Sequence, residues 1–217
     1  MSYSVKEMFY TLQGEGFHTG RPAVFCRFAG CNLWSGREQD RAQSVCQFCD
    51  TDFIGTDGLN GAKFKQATAL AQAINALWPT GLGHRFVVFT GGEPALQLDD
   101  LLVAELHKLN FVCAVESNGT LALPAALDWV CISPKGRAEV VLAQCNALKL
   151  VYPQADAPPE RFVDIQADYR YLSPLNDYTA QTLVPSQNES TRACIDYCLG
   201  HPEWHLTLQA HKIVNID

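Results

Sequence analysis

The chain has 217 residues, with 16 Lys and Arg against 23 Asp and Glu and a formal net charge of −7. At 47% hydrophobic and 18% charged, it can bury a full core, which excludes a disordered tail or a fibrous repeat and fits a single domain over 1–217. The acidic balance disfavours nucleic acid as a partner, because phosphate backbones reward clustered Lys and Arg, and no run reaches the roughly 18 to 20 apolar residues of a membrane span.

Residues 1–16 show no basic segment followed by an apolar run and a small-residue cleavage site, so no secretion leader is read there and a cytoplasmic place is expected. Apolar runs bounded by turn chemistry then predict strands at Ala23–Phe28, Phe86–Thr90, Phe111–Val115, Asp128–Ser133, Ala147–Val151, Tyr169–Leu172 and Trp204–Leu208, of the kind a largely parallel sheet buries on both faces. Helical periodicity predicts helices over Phe64–Leu77, with Phe64, Ala67, Leu70, Ala71, Ile74 and Leu77 on one face, and over Leu98–Leu109. Alternating strand and helix argues for an α/β domain. Three stretches stay irregular: 30–61, 153–159 and 183–190. The first is long enough to be functional.

Nine cysteines is an odd number that cannot all pair, so a disulfide framework fits poorly. Three of them cluster in the long loop: Cys31, then fourteen residues to Cys46, then two residues to Cys49. Three thiolates can serve one metal centre. A closed zinc site wants four N or S ligands, and the nearest candidate fourth, His18, lies outside the loop. Iron–sulfur clusters also use thiolates, usually four, so a set of three leaves one iron open to a ligand from outside the protein. A zinc-stabilised binding module without catalysis remains the alternative.

The strand at Phe86–Thr90 runs into Gly91-Gly92-Glu93-Pro94. Adjacent glycines at a strand's carboxyl end open backbone groups to a ligand, and in α/β folds ligands bind there, although a plain tight turn leads to a helix equally well.

In this order the motifs resemble those of radical S-adenosylmethionine enzymes, and among them the 7-carboxy-7-deazaguanine synthase family in its form with fourteen residues between the first two cluster cysteines. The resemblance rests on Phe9–Gly16, Gly20–Gly36, Cys46–Phe53, Thr90–Pro94, Glu116–Gly119, Ser133–Lys135 and Gln209–Ile216. It implies an incomplete (β/α) barrel and a 4Fe-4S cluster on Cys31, Cys46 and Cys49, its open iron bound by S-adenosylmethionine. It places Gly91 and Gly92 on the methionine end of that cofactor, and Phe48, Ser133, Pro134 and Lys135 along the rest. Where the family has Gln-Pro-x-Asp, this chain has Ser173-Pro-Leu-Asn176, so Ser173 and Asn176 stand at that contact. The implied substrate is 6-carboxy-5,6,7,8-tetrahydropterin, converted by ring contraction with loss of ammonia to 7-carboxy-7-deazaguanine on the route to queuosine. The resemblance also implies Mg²⁺ held directly by Thr51 with Asp50 close by, a homodimer, and an electron donor such as flavodoxin. A glycyl-radical activating enzyme shares the cluster and the Gly-Gly-Glu turn, but not the Leu12–Gly16 or Gln209–Lys212 runs.

The remaining candidates fit around this. Leu12, Gln13, Gly14 and Glu15 form a glycine-rich bend able to read the edge of a flat heterocycle, and Thr90 is a further substrate-binding candidate. Arg27 ends a strand and carries a fork suited to a carboxylate. Glu15 and Glu116 are the candidate acid or base groups, Glu116 reading equally as a cap. By resemblance the chain-end Asp217 lies near the substrate. Cys194 and Cys198, four apart in a predicted helix with His201 and His205 following, have ligand spacing but read better as core residues, as do Cys26, Cys113 and Cys131.

Overall fold

The computed structural model describes residues 2–175 and 189–216. Its strands are β1 (Tyr3–Leu12), β2 (Pro22–Phe28), β3 (Ala62–Phe64), β4 (Phe86–Gly91), β5 (Val112–Ser117), β6 (Trp129–Ile132), β7 (Gln144–Tyr152), β8 (Gln166–Pro174) and β9 (Trp204–Leu206). The helices are α1 (Ala67–Leu77), α2 (Asp100–Lys108), α3 (Glu189–Gly200) and α4 (Ala210–Val214). One nine-stranded sheet runs in the order β3-β1-β2-β4-β5-β6-β7-β8-β9. From β2 through β9 the neighbours are parallel, while β1 is antiparallel to both β2 and β3. The sheet does not close, as expected of an incomplete barrel.

Every predicted strand is present, and β1 and β3 are additions. β1 escapes the alternation rule because a bulge between Val5 and Glu7 shifts its register against β2, so that Val5 and Lys6 are both buried. A bulge leaves one residue unpaired and breaks the period of two. Lys6 tolerates burial because its ammonium donates to Asp57 at 2.8 Å and to the Ile54 carbonyl at 3.0 Å, and lies 2.8 Å from Asp52. The helix predicted from Phe64 starts three residues later, since Phe64 pairs with Tyr3 as β3. The second helix starts at Asp100, after Asp99 accepts from the Leu102 amide at 3.0 Å as its cap. Tyr3 Oη donates to the same carboxylate at 2.7 Å, tying β1 to α2.

Strict helix alternation fails between β5 and β8. These crossovers carry Pro124, Pro134, Pro153, Pro158 and Pro159, and each proline removes an amide donor that a helix needs; only a short 3-10 turn at Pro159–Phe162 forms there.

Two clusters cover the outer face. One joins α1 and α2, through Leu70, Ile74, Leu102 and Leu106, to β1, β2, β4 and β5. The other joins Cys194 of α3 to Leu148, Leu150 and Leu172. Period-two alternation therefore sends Leu148 and Leu150 outward and leaves Ala147, Lys149 and Val151 for the inner face. Leu148 is fully buried, so Leu148→Ala is expected to cost about 2–5 kcal/mol, read as a lowered midpoint of urea unfolding with an unchanged slope.

Candidate active site at the carboxyl ends of the strands

A basin of about 1110 Å³ opens on the inner face of the sheet. The parallel register delivers its polar wall: Arg27 lies beside Thr90 across β2 and β4, while Glu116, Lys149 and Ser173 come from β5, β7 and β8.

The cysteine loop folds around a small core of its own. Trp34 and Phe53 are buried edge to face at 5.6 Å, and the Arg41 guanidinium lies over the Trp34 ring at 4.0 Å while donating to the Gln47 and Cys49 carbonyls at 3.1 and 3.0 Å. Cys31, Cys46 and Cys49 all line the basin. Burial pushes the Cys31 thiol up. A hydrogen bond from Cys46 lowers Cys49 to about 6, and the same contact holds Cys46 well up.

Among the described residues, His107, Cys113 and Asp128 form a set with donor atoms within 4.8 Å of one another; the three loop thiols as a set stand wider. One tetrahedral zinc at about 2.3 Å per sulfur would hold them roughly 3.8 Å apart. Three thiols leave a closed zinc site one ligand short, and His18 lies away from them, against Phe86 and Trp129.

Gly91 and Gly92 have a backbone reason for being glycine. A Cβ on Gly91, at φ +135°, would meet the Phe28 carbonyl oxygen at 2.2 Å, and one on Gly92 the Gly30 carbonyl at 2.1 Å and the Cys31 Cβ at 2.8 Å. The pair lets the end of β4 lie against the chain that carries Cys31. Glu93 fixes this junction: fully buried, it accepts from the Ala95 amide at 2.9 Å, the Ser117 hydroxyl at 2.8 Å and the Asn118 amide at 2.7 Å. Burial still raises its pKa despite those donors. Asn118 also donates to Asn32 at 2.9 Å, tying the β5 end to the cysteine loop. Ser117 and Asn118 thus bind the junction together, while Glu116 faces the basin.

At the floor, the Lys149 ammonium reaches Glu15 Oε2 at 2.5 Å and Glu116 Oε2 at 2.9 Å. Gln13 donates to Glu116 Oε1 at 3.4 Å. Burial would lower the Lys149 pKa, but the two carboxylates hold it well above the usual lysine value. Burial likewise opposes ionisation of Glu15, and the Lys149 charge overcomes it, leaving Glu15 below the ordinary carboxylate range. Lys149 belongs to no motif in the sequence; its signal there is a lone lysine at an inward position of an apolar strand.

The C-terminal segment closes the wall. Gly14 has no room for a side chain, since its Cβ would meet His211 Nδ1 at 2.0 Å, and the Ala210 amide donates to the Gly14 carbonyl at 2.9 Å. Lys212 donates to Asp50 at 2.6 Å, so α4 links the glycine-rich bend to the cysteine loop. His211 and Lys212 are basin residues given no role from sequence.

The other expected residues fall out plainly. Leu12, Gln13, Gly14, Glu15, Arg27, Phe48, Thr51, Thr90, Ser133, Lys135 and Ser173 line the basin. Pro134 is buried and off its wall. Lys135 donates to the Ser133 carbonyl at 3.0 Å and to its hydroxyl, and burial lowers its pKa. Arg27 Nε is taken by Glu7 at 2.7 Å; its terminal nitrogens make no hydrogen bond among the described residues. Asn176 and Asp217 lie outside the described residues. The Cys194 and His205 grouping does not assemble: Cys194 is buried, His201 donates to the Tyr197 carbonyl at 2.9 Å, and His205 sits in β9 against Tyr171. Cys26, Cys113 and Cys131 are core residues, as expected.

No family model matches the chain. It is 54% identical over 216 residues to the 7-carboxy-7-deazaguanine synthase of Burkholderia multivorans and 48% identical over 219 residues to that of Nitratidesulfovibrio vulgaris, covering all of both chains in each case. A crystal structure of QueE from Escherichia coli superposes with a TM-score of 0.69 at 28% identity, over 97% of this chain and 95% of that one.

The ion triad makes a pH-dependent prediction. Glu15 sits below its ordinary value and Lys149 above its own. Their pairing therefore contributes fully between about pH 4.3 and 10.4. It is lost as pH falls through the lowered glutamate pKa or rises through the raised lysine pKa. Lys149→Met is expected to cost about 3–5 kcal/mol at pH 7, with the gap to wild type narrowing as pH falls through the lowered Glu15 pKa, measured by urea unfolding at pH 7 and pH 3.

Proposed function

The chain belongs to the 7-carboxy-7-deazaguanine synthase family of radical S-adenosylmethionine enzymes, and on that premise we propose that its basin converts 6-carboxy-5,6,7,8-tetrahydropterin to 7-carboxy-7-deazaguanine with loss of ammonia. The observation that carries the proposal is that three thiols, the close-packed Gly91-Gly92 turn and a buried Glu15–Lys149–Glu116 triad converge on one basin. That convergence and full-length identity with the synthases favour this reading over a glycyl-radical activating enzyme or a zinc module.

Cys31, Cys46 and Cys49 would hold the 4Fe-4S cluster, with Phe48, Gly91, Gly92, Ser133, Lys135 and Ser173 around S-adenosylmethionine. When bound, cluster and cofactor supply a hydrogen-abstracting radical. This chain's residues do the rest. Arg27, its Nε committed to Glu7, presents its terminal nitrogens to the substrate carboxylate. Gln13, Glu15 and Glu116 match the donors of the pterin edge with acceptors, and Thr90 lies beside Arg27.

Because the Lys149 charge outweighs the burial of Glu15 and holds it below the ordinary carboxylate range, Glu15 stays an ionised acceptor in the basin, with Glu116 on the other side of the same ammonium. Thr51 would be the one direct protein ligand to Mg²⁺, a cation that takes few protein oxygens, with Asp50 nearby and oriented by Lys212. A homodimer, a flavodoxin-type electron donor and a cytoplasmic place belong to the same reading; among the described residues no helix is long and apolar enough to cross a membrane.

Anaerobically reconstituted protein supplied with reductant, Mg²⁺, S-adenosylmethionine and the pterin should give the deazaguanine by mass spectrometry, and Cys46→Ala should give none. Arg27→Ala should raise the KM for the pterin by roughly tenfold or more, the loss of a charge-assisted fork. A cluster-loaded wild-type protein that cleaves S-adenosylmethionine without making this product would contradict the substrate.

A further inference from the structure

Behind the triad, on the side away from the cysteine loop, lies a second, separate cavity of about 10 Å³, the room that one water takes. Its wall includes Gln13, Glu15, His18, Glu116, Cys131 and Lys149. Among the described residues, two buried side-chain polar atoms lack a hydrogen-bond partner, His18 Nε2 and Glu116 Oε2, and both residues line this one cavity. Lys149 offsets the charge of Glu116 Oε2 at 2.9 Å but is not aligned as its hydrogen-bond donor. Buried polar atoms are seldom left unpaired, since each costs about 1–3 kcal/mol.

The donor pattern is fixed from the other side. Arg21 NH1 lies 3.4 Å from His18 Nδ1, and a guanidinium can only donate, so Nδ1 is the acceptor and Nε2 carries the ring proton. Burial and the Arg21 charge lower His18 to about 4, which keeps the ring neutral near pH 7. Its Nε2–H can donate to a water, and that water can donate in turn to a carboxylate oxygen. His18 is wedged between Phe86 at 4.8 Å and Trp129 at 4.5 Å, centroid to centroid, and Arg21 also stacks over Phe86 at 3.7 Å, so the ring is held in place.

We infer that one water enclosed in this cavity joins His18 to Glu116, making His18 a positioning residue that fixes the Glu116 carboxylate from beneath the substrate floor. The charged and titratable groups facing Glu116 are then Lys149 from β7, Glu15 from the glycine-rich bend, Cys131 from β6, and, through the water, His18 backed by Arg21; Tyr171 of β8 completes the cavity wall. The role in turnover rests on the function proposed above for Glu116, whereas the water itself does not.

The test has two independent arms. A high-resolution crystal structure of the wild-type protein should show one ordered water within about 3.2 Å of both His18 Nε2 and Glu116 Oε2. Density showing no water there, or a water reaching only one of the two, overturns the inference whatever the protein's activity. In the kinetic arm, His18→Phe fills the aromatic slot without a donor. It should lower kcat/KM for the pterin by roughly tenfold, the loss of a hydrogen bond to a charged group. It should also move the acid limb of the pH profile to higher pH, because removing a donor from a carboxylate raises its pKa. His18→Gln, which keeps an N–H, should restore most of both. A His18→Phe enzyme that folds and keeps the wild-type pH profile overturns the positioning role. If that variant does not fold, the density and the His18→Gln profile decide.

Discussion

The arrangement that the rest of the structure answers to is a single ammonium, Lys149, buried between two carboxylates on the inner face of an unclosed sheet. Each partner comes from a different place: Lys149 from β7, Glu116 from β5, and Glu15 from the bend after β1. Their attraction draws that bend over the open interior. The bend then supports the C-terminal segment, because Gly14 leaves room for His211, and α4 in turn holds Asp50 of the cysteine loop through Lys212. A chain of contacts thus runs from the sheet floor to the thiols. Buried ion groups rarely stabilise a fold better than apolar side chains would, so a triad in this position is better explained by what the basin must bind than by stability.

The second constraint is steric. The β4 end approaches the backbone before Cys31 so closely that Gly91 and Gly92 leave no room for a Cβ. Glu93, buried beneath them, gathers three donors from its own turn and from β5. Backbone contact and a buried carboxylate therefore place Cys31 against the strand ends, and the Trp34–Phe53 pair with Arg41 shapes the remainder of the loop. In the proposed function the two constraints divide the labour: the steric junction sets where the cofactor sits, and the ion triad sets where the heterocycle sits.

Much of this was legible in the residues. The parallel strands were readable because strands buried on both faces are continuous apolar runs, and the three thiols because their spacing is chemically restrictive. What escaped did so for physical reasons. A bulge in β1 put Val5 and Lys6 on the buried side together, which no period-two pattern describes. Prolines in the β5–β8 crossovers leave loops where strict alternation of strand and helix would have helices. Lys149 is hard to read from sequence because a lysine in an apolar strand looks like a break in the pattern, although it is the centre of the ion triad. The Gly91-Gly92 pair suggests a ligand contact from sequence; that it relieves backbone collisions is visible only in three dimensions. His18, the nearest histidine to the cysteine loop in the sequence, is held in the fold by aromatic rings and Arg21.

The measurement that bears most directly on this account is an anaerobic crystal structure of the reconstituted protein with S-adenosylmethionine and 6-carboxytetrahydropterin bound. The account predicts a cluster on Cys31, Cys46 and Cys49, the cofactor against Gly91 and Gly92, and the pterin edge on Gln13, Glu15 and Glu116 above an intact Lys149 triad, its carboxylate toward Arg27. A pterin bound away from the triad, or a metal centre that does not use all three thiols, would contradict it.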